Sequence, residues 1–291
     1  MKNPLFTGVC TALVTPFLNG EVNYPMLERL IARQLEGGVH AIVLCGTTGE
    51  APTLTDEEKR DIIARAKQMT GDDCLIIAGT GSNDTSHAVR LSRQAQEAGA
   101  DGVLVVSPYY NKATPEGLCL HYQAVALSVQ LPVIVYNVPS RTGVDIPVSV
   151  YRELSAMPNI AGVKEATGDM KKILSIRAQC PAHFRVWSGC DELTVPTLAL
   201  GGAGVISVLS NLYPEMTQTM VSAGLDGDFD TAADLQIRFE PIIRALFSQP
   251  NPIPVKAAMK LLGFDCGEPR LPLTPASHQM AEKLGTLLNI V

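Results

Sequence analysis

Charged and aromatic residues are scarce in this chain of 291 residues, at 18% and 5% of the sequence, and lysine and arginine form no run. The formal net charge is −6. Because a nucleic-acid-binding protein needs a basic footprint, this composition argues against wholesale nucleic-acid binding. The apolar fraction of 46% excludes intrinsic disorder. No apolar stretch reaches about 18 residues, so the sequence predicts no membrane span, and the N-terminus shows no signal peptide.

Patterns for metal binding and disulfide bonding are also missing. The seven cysteines are scattered, odd in number and never spaced as Cys-x-x-Cys, which favours a reducing cytoplasm. The five histidines lie far apart, and none belongs to a His-Glu-x-x-His motif or a His/Cys pair at ligand spacing. We therefore expect no metal site, although a site built from carboxylates alone stays open.

Eight short apolar runs, most of them bounded by glycine or proline, alternate with longer amphipathic segments. Such runs are typical of parallel strands buried on both faces. They cover residues 9–14, 41–45, 75–78, 102–106, 133–136, 160–163, 185–187 and 204–208. Eight strands alternating with helices over about 220 residues predict a (β/α)8 TIM barrel. An open doubly wound sheet is the alternative, but it usually has a phosphate loop after its first strand, where this chain has Thr15-Pro16-Phe17.

Amphipathic segments between these runs predict helices at residues 24–35, 56–69, 84–98 and 114–129. Thr55 and Glu58 form a capping box at the start of the second helix, and Pro115 suits the first position of the fourth. Beyond residue 213 the alternation stops, and three further helices are predicted at residues 229–247, 254–262 and 275–288. The predicted organisation is a barrel at residues 1–224 and a C-terminal helical extension at residues 225–291.

Active sites of such barrels lie where the strands end, and Lys164 is the one lysine of ten that ends an apolar strand. Period-two alternation puts Gly162 on the face of Lys164, so Gly162 leaves room for a small ligand if that face is the interior. A buried amine must lose its proton or find a partner, and a neutral amine forms Schiff bases with carbonyl compounds. A structural ion pair with a carboxylate is the alternative. Seven other lysines lie in helical patterns, where a solvated face is the ordinary interpretation: Lys59, Lys67, Lys171, Lys172, Lys256, Lys260 and Lys283.

Other polar residues stand at the ends of neighbouring predicted strands. Tyr136 of the fifth strand could reach the Lys164 amine, or it is a packed core tyrosine bonded to backbone. Thr47 and Thr48 offer hydroxyl and backbone N–H groups for a carboxylate, with plain turn chemistry between two glycines as the alternative. Arg141 follows a Pro-Ser turn, where its planar guanidinium suits a substrate carboxylate, and a surface ion pair is the alternative.

Taken together and in order, these motifs resemble the dihydrodipicolinate synthase family. The resemblance runs from about residue 8 to residue 273, and Arg270-Leu271-Pro272-Leu273 also fits it. The broader family includes N-acetylneuraminate lyase and related pyruvate-dependent aldolases. Five motifs carry the resemblance: Gly46-Thr47-Thr48-Gly49-Glu50, Pro108-Tyr109-Tyr110-Asn111-Lys112, Tyr136-Asn137-Val138-Pro139-Ser140-Arg141-Thr142, Val163-Lys164-Glu165-Ala166 and Asn251-Pro252-Ile253-Pro254-Val255-Lys256.

The resemblance implies a lyase that condenses pyruvate with aspartate 4-semialdehyde through a Schiff base on Lys164. The product would be 4-hydroxy-tetrahydrodipicolinate, and the reaction is the committed step of lysine and diaminopimelate biosynthesis. Tyr136, Thr47 and Tyr110 would form a proton relay, in which Tyr110 reaches into the site of a neighbouring subunit. The shared tyrosine requires at least a dimer, and the resemblance implies a homotetramer assembled as a dimer of dimers.

Substrate-binding roles follow from the same resemblance. Thr47 and Thr48 would hold the carboxylate of pyruvate, and Arg141 would bind the carboxylate of the second substrate. Gly189 and Ile206 would contribute backbone carbonyls around the pyruvate adduct. No metal and no organic cofactor is implied.

Two other functions remain in play. Another pyruvate-dependent aldolase of the family would use the same lysine with a different aldehyde, although Tyr110 and Arg141 favour a small acidic aldehyde over a sugar. A non-catalytic binding barrel is the second alternative. Regulation by free lysine is expected to be weak or absent. Feedback-sensitive members often have a histidine at the place of Lys59 and a carboxylate at the place of His87. In this chain a cationic effector would instead meet the cation Lys59 unfavourably.

Overall fold

The computed structural model describes residues 5–288, which contain a closed barrel of eight parallel strands. The barrel strands are β1 (Gly8–Ala12), β4 (Ala41–Leu44), β5 (Leu75–Gly79), β6 (Gly102–Val106), β7 (Val133–Asn137), β8 (Ile160–Glu165), β9 (Arg185–Ser188) and β10 (Gly204–Ser207). A separate antiparallel hairpin consists of β2 (Phe17–Leu18) and β3 (Glu21–Val22). Strand β1 pairs with β10 on one side and β4 on the other. The predicted TIM barrel is confirmed, and the open doubly wound sheet is wrong.

Helices follow the strands and surround the barrel. They are α1 (Tyr24–Glu36), α2 (Asp56–Thr70), α3 (Thr85–Glu97), α4 (Pro115–Ser128), α5 (Pro139–Thr142), α6 (Val148–Leu154), α7 (Met170–Gln179), α8 (Thr194–Ala199) and α9 (Pro214–Asp226). The predicted capping box begins α2, because Glu58 N–H donates to the Thr55 hydroxyl at 3.1 Å and Thr55 N–H donates to the Glu58 carboxylate at 2.9 Å. Pro115 is the first residue of α4, as predicted.

Three further helices complete the described part of the chain without an intervening strand. They are α10 (Phe229–Leu246), α11 (Ile253–Leu261) and α12 (His278–Leu288). Helix α10 packs against α8 and α9, and α11 lies against the short turn Leu209–Asn211 that follows β10. The division after residue 224 falls inside α9 and stays a prediction. None of the helices within residues 5–288 is long and apolar enough to span a membrane.

The core has two layers separated by the barrel wall. On β7, Ile134 and Tyr136 belong to a small apolar cluster inside the barrel, whereas Val133 and Val135 belong to the large cluster between strands and helices. Inside, Trp187 of β9 is fully buried, and the ring of Phe6 stacks on it with centroids 4.9 Å apart. Alternation along each strand therefore decides which side chains face the interior.

Gly162 lies where the backbones of two neighbouring strands approach each other closely. A Cβ atom at this position would lie 2.0 Å from the carbonyl oxygen of Arg185 on β9, and the φ angle of Gly162 is +153°. The register between β7 and β8 also shifts beside it, since Val133 pairs with Ile160 and Ile134 with Gly162. We expected this glycine to leave room for a small ligand. The structure gives it a different role, because it allows β8 and β9 to approach each other closely.

One buried histidine makes the stability of the fold depend on pH. His121 on α4 is 3% exposed, and its Nδ1 lies 3.0 Å from the hydroxyl of Thr85. Burial lowers the pKa of His121 from its ordinary value of 6.5 to about 4. Because the unfolded chain binds this proton at a higher pH than the folded chain, the free energy of unfolding falls as the pH drops from about 6.5 to about 4.

We expect His121→Gln to remove about 2 kcal/mol of the stability difference between pH 7 and pH 4.5. Urea unfolding of wild type and variant at both pH values measures this difference. The matched control His278→Gln replaces a histidine whose side chain is 89% exposed, and it should keep the wild-type difference. An unchanged difference in His121→Gln would contradict the assignment.

Candidate active site

Lys164 and Tyr136 lie together inside the barrel at the carboxyl ends of neighbouring strands. Lys164 is 6% exposed and stands opposite Tyr136 in the register of β7 and β8. Its Nζ lies 4.3 Å from the centroid of the Tyr136 ring, a distance at which an ammonium group is attracted to the aromatic face. Within residues 5–288 no carboxylate forms an ion pair with this amine, so the structural ion pair left open by the sequence finds no support.

The backbone of Gly189 packs against the Lys164 side chain. Gly189 follows β9, and its N–H donates to the carbonyl of Glu165 at 2.7 Å. A Cβ atom at Gly189 would lie 3.1 Å from Lys164 Cε. Ile206 on β10 is 1% exposed and belongs to the same interior cluster as Tyr136. Two of the residues expected around a bound adduct are thus parts of the interior wall.

Thr47 and Thr48 lie in a loop that leaves the barrel after β4. Thr47 is half-buried, and its carbonyl accepts the N–H of Glu50 at 3.1 Å. Thr48 is 2% exposed, and its hydroxyl accepts a hydrogen bond from the side-chain amide of Asn251 at 2.8 Å. Because that bond uses an acceptor site of the Thr48 hydroxyl, the hydroxyl proton stays available to another acceptor.

A cavity of about 500 Å³ opens beside Tyr136. Three of the predicted residues line it, namely Thr47, Tyr136 and the exposed Arg141 on α5. Lys164 does not line the cavity but touches the ring of Tyr136, which does. Thr48, Gly189 and Ile206 are also outside the lining. The volume is in the range usual for small-molecule sites.

Tyr110 does not reach the cavity of its own chain. Its side chain is 91% exposed and its φ is +70°, a conformation that is strained for a bulky residue. The neighbouring Tyr109 does line the cavity and is 36% exposed. Sequence reasoning gave Tyr109 no role, although it stands in a quoted motif beside Tyr110.

A network outside the barrel wall holds the ends of β7 and β8 together, and the sequence did not reveal it. Glu165 follows Lys164 and is 2% exposed. Its carboxylate accepts hydrogen bonds from the side-chain amide of Asn137 at 3.0 Å and from the Tyr151 hydroxyl at 3.1 Å. Burial raises the pKa of Glu165. Because Asn137 follows Tyr136, this network fixes the strand ends that carry both interior residues.

The interpretation of seven lysines as solvated is wrong for Lys59, Lys172 and Lys256, whose side chains are 11%, 9% and 3% exposed. Lys256 on α11 is held by Glu50, with Nζ 2.6 Å from the nearer carboxylate oxygen. Burial lowers the pKa of Lys256. The helical pattern does not show the partners of Lys172 and Lys256, because Asp145 and Glu50 lie far from these lysines in the sequence.

Residues 5–291 match the model of the Dihydrodipicolinate synthetase family. The chain belongs to this family. It is 46% identical over 281 residues to the 4-hydroxy-tetrahydrodipicolinate synthase of Kosmotoga olearia, and the alignment covers 96% of each protein. The solved DHDPS of Cyanidioschyzon merolae with lysine bound has a TM-score of 0.96 and 39% identity, covering 99% of each chain. A structure described as the first monomeric dihydrodipicolinate synthase variant has a TM-score of 0.97 and 41% identity, covering 98% of this chain and 97% of that one.

In this member of the Dihydrodipicolinate synthetase family, one carboxylate joins the two positions singled out for regulation by lysine. Asp56 lies 3.7 Å from Lys59 Nζ and 3.1 Å from His87 Nε2. All three residues line the same cavity as Thr47 and Tyr136. A cationic group that enters this end of the cavity therefore meets a lysine and a carboxylate that is already paired.

Proposed function

We propose that this chain is a lyase that condenses pyruvate with aspartate 4-semialdehyde to give 4-hydroxy-tetrahydrodipicolinate, the committed step of lysine and diaminopimelate biosynthesis. The observation that carries the proposal is the buried Lys164 amine, which touches the face of Tyr136 at the carboxyl end of the barrel. Family membership and the name of the Kosmotoga olearia relative support the choice of reaction.

The reaction begins when the neutral Lys164 amine attacks the keto carbon of pyruvate and water leaves, which forms a Schiff base. Loss of a methyl proton converts the Schiff base into an enamine. The enamine carbon attacks the aldehyde carbon of the second substrate and forms the new carbon–carbon bond. The amine of that substrate then displaces Lys164 and closes the six-membered ring, so the lysine is regenerated and one water is released overall.

Proton transfer during these steps is assigned to Tyr136, Thr47 and Tyr110. The contact of the Tyr136 ring with the Lys164 amine and the position of Thr47 on the cavity wall support the first two roles. Positioned hydroxyl groups of this kind typically contribute factors of about 10² to 10⁴ to a rate. Thr47 and Thr48 also hold the carboxylate of pyruvate.

Arg141 binds the carboxylate of aspartate semialdehyde. It is exposed at the rim of the cavity, and the fork of N–H groups on its guanidinium fits a carboxylate with two parallel hydrogen bonds. Gly189 and Ile206 contribute backbone carbonyls around the adduct. The contact of Gly189 with the Lys164 side chain supports its place beside the reacting nitrogen.

The exposed Tyr110 completes the relay in a neighbouring subunit, so the working unit is at least a dimer. Its 91% exposure and its φ of +70° support a side chain that projects away from its own chain. The assembly is a homotetramer built as a dimer of dimers, and the enzyme works in the cytoplasm. All seven cysteines are free thiols, five of them buried, which suits a reducing compartment.

A proton NMR time course with pyruvate and aspartate semialdehyde tests the reaction. We expect equal loss of both substrates with the wild type and no loss with Lys164→Ala. Borohydride should reduce the Schiff base and attach the three-carbon adduct of pyruvate to Lys164, as read by peptide mass spectrometry. Trapping without consumption of aspartate semialdehyde would point to another aldehyde and another aldolase of the family. Absence of both would indicate a non-catalytic barrel.

Subunit mixing tests the location of Tyr110. Lys164→Ala and Tyr110→Phe should each be nearly inactive alone, because each site lacks one group. Co-refolding of equal amounts should restore about a quarter of the wild-type activity, since each mixed dimer contains one intact site.

The control for this experiment pairs Lys164→Ala with Tyr136→Phe. Both of those residues belong to the same chain's site, so no mixed dimer contains an intact site and no recovery is expected. Recovery with this control, or none with Tyr110→Phe, would contradict the proposed arrangement.

Free lysine should inhibit this enzyme weakly or not at all, because its ammonium group meets the cation Lys59 near the cavity. Initial rates at rising lysine concentration measure the effect, and inhibition at micromolar lysine would contradict the prediction. The double variant Lys59→His/His87→Glu removes one cation and adds one carboxylate, and it should be inhibited more strongly than the wild type.

A further inference from the structure

The loop of residues 45–50, here called the threonine loop, has a strained backbone at both ends. Cys45 and Glu50 are not glycines, yet their φ angles are +54° and +57°. A left-handed conformation is strained for such residues, so surrounding contacts must hold the loop in this shape. Between these two residues the loop carries Thr47 and Thr48.

The contacts that hold the Glu50 carboxylate come from the C-terminal part of the chain. Its first carboxylate oxygen lies 2.6 Å from Nζ of Lys256 on α11. Its second accepts the backbone N–H of Arg270 at 2.8 Å. The side chains of Glu50 and Lys256 are 1% and 3% exposed, so both charges are withdrawn from water. A buried carboxylate with two such partners has little freedom to move.

Thr48 is fixed by a residue from the same part of the chain. The side-chain amide of Asn251 donates to the Thr48 hydroxyl at 2.8 Å. Asn251 is 6% exposed and also lines the cavity. The threonine loop is thus held at Thr48 and at Glu50, both in its second half, by residues that lie about 200 positions later.

The lysine that anchors Glu50 also packs on an aromatic ring, which it shares with Arg270. Lys256 Nζ lies 4.3 Å from the centroid of the Phe17 ring, and the guanidinium of Arg270 lies at the same distance from that ring. Arg270 also pairs with Glu58 of α2 through two of its nitrogens, at 2.8 and 2.5 Å. Two cations and two carboxylates therefore balance one another around one aromatic ring.

A buried ion pair adds little stability relative to an apolar pair of similar volume, but it prescribes one geometry. We propose that Lys256 and Asn251 are positioning residues that hold the Thr47 and Thr48 hydroxyls in their working geometry, which makes the C-terminal helical extension part of the catalytic apparatus. This inference rests on the proposed function for its kinetic readout, because Thr47 acts on substrate only if Lys164 reacts with pyruvate.

The test compares Lys256→Met and Asn251→Ala with the matched control Lys260→Met. Lys260 lies on the same helix and pairs with Asp265, but the two side chains are 67% and 59% exposed. We expect both test variants to lose at least about tenfold in kcat and to show a raised KM for pyruvate, because misplaced hydroxyls weaken binding and proton transfer. At saturating pyruvate, borohydride should still trap pyruvate on Lys164, because this lysine lies on β8 and not in the threonine loop. Lys260→Met should keep wild-type kcat and KM.

Amide hydrogen exchange supplies a readout that does not depend on activity. The peptide that covers residues 45–50 should exchange faster in Lys256→Met and Asn251→Ala than in Lys260→Met. The double variant Glu50→Gln/Lys256→Met leaves no unpaired buried charge, so its melting temperature should recover towards that of the wild type while kcat stays low. Recovery of kcat together with stability would overturn a positioning role.

The outcomes separate this inference from the proposed function. Folded variants with wild-type kcat, KM and exchange would overturn the inference alone. A wild type that neither traps pyruvate nor consumes it would remove the proposed function. Faster exchange of the threonine loop in Lys256→Met and Asn251→Ala would then still support the contacts of Lys256 and Asn251 with this loop. If Lys256→Met does not fold, Asn251→Ala, which removes a single hydrogen bond, decides between the outcomes.

Discussion

Pairing of the last barrel strand with the first is the constraint on which the rest of the structure depends. Because β10 bonds to β1, every strand of the barrel has a neighbour on both sides and no edge is left exposed. Closure also settles the direction of each side chain, since alternate residues must face a crowded interior. The amine of Lys164 is placed against Tyr136 by this register, and the outer network around Glu165 holds the two strand ends in the same relation.

Charge inside this protein is rare, and each buried charge has a defined neighbour. Within residues 5–288 the Lys164 amine lies against the face of an aromatic ring and has no carboxylate partner, whereas Lys256 has a carboxylate and an aromatic ring. The carboxylate of Glu50 holds Lys256 and its surroundings in place, whereas no carboxylate among residues 5–288 pairs with Lys164.

The sequence predicted the barrel well because local signals and the global fold agree. Short apolar runs between glycine and proline gave all eight strands, and Lys164 was found because it ends one of them. Long-range contacts were not predictable in this way. Nothing in the pattern of α11 shows that Lys256 turns towards Glu50, and Gly162 has a backbone reason that only the β8–β9 contact reveals. The exposure of Tyr110 likewise depends on the loop geometry rather than on residue type.

The contacts between the threonine loop and the C-terminal helices also set the order in which the protein becomes complete. Synthesis proceeds from the N-terminus, so Thr48 and Glu50 leave the ribosome long before Asn251, Lys256 and Arg270. A growing chain can form early strands and helices, and the Thr15 hydroxyl can donate to the Gly49 carbonyl, but the contacts of Thr48 and Glu50 with the C-terminal residues must wait until those residues emerge. Lys164, too, is synthesised well before those residues. The nascent polypeptide therefore contains Lys164 for a long interval of translation before the threonine loop can form its contacts with Asn251, Lys256 and Arg270.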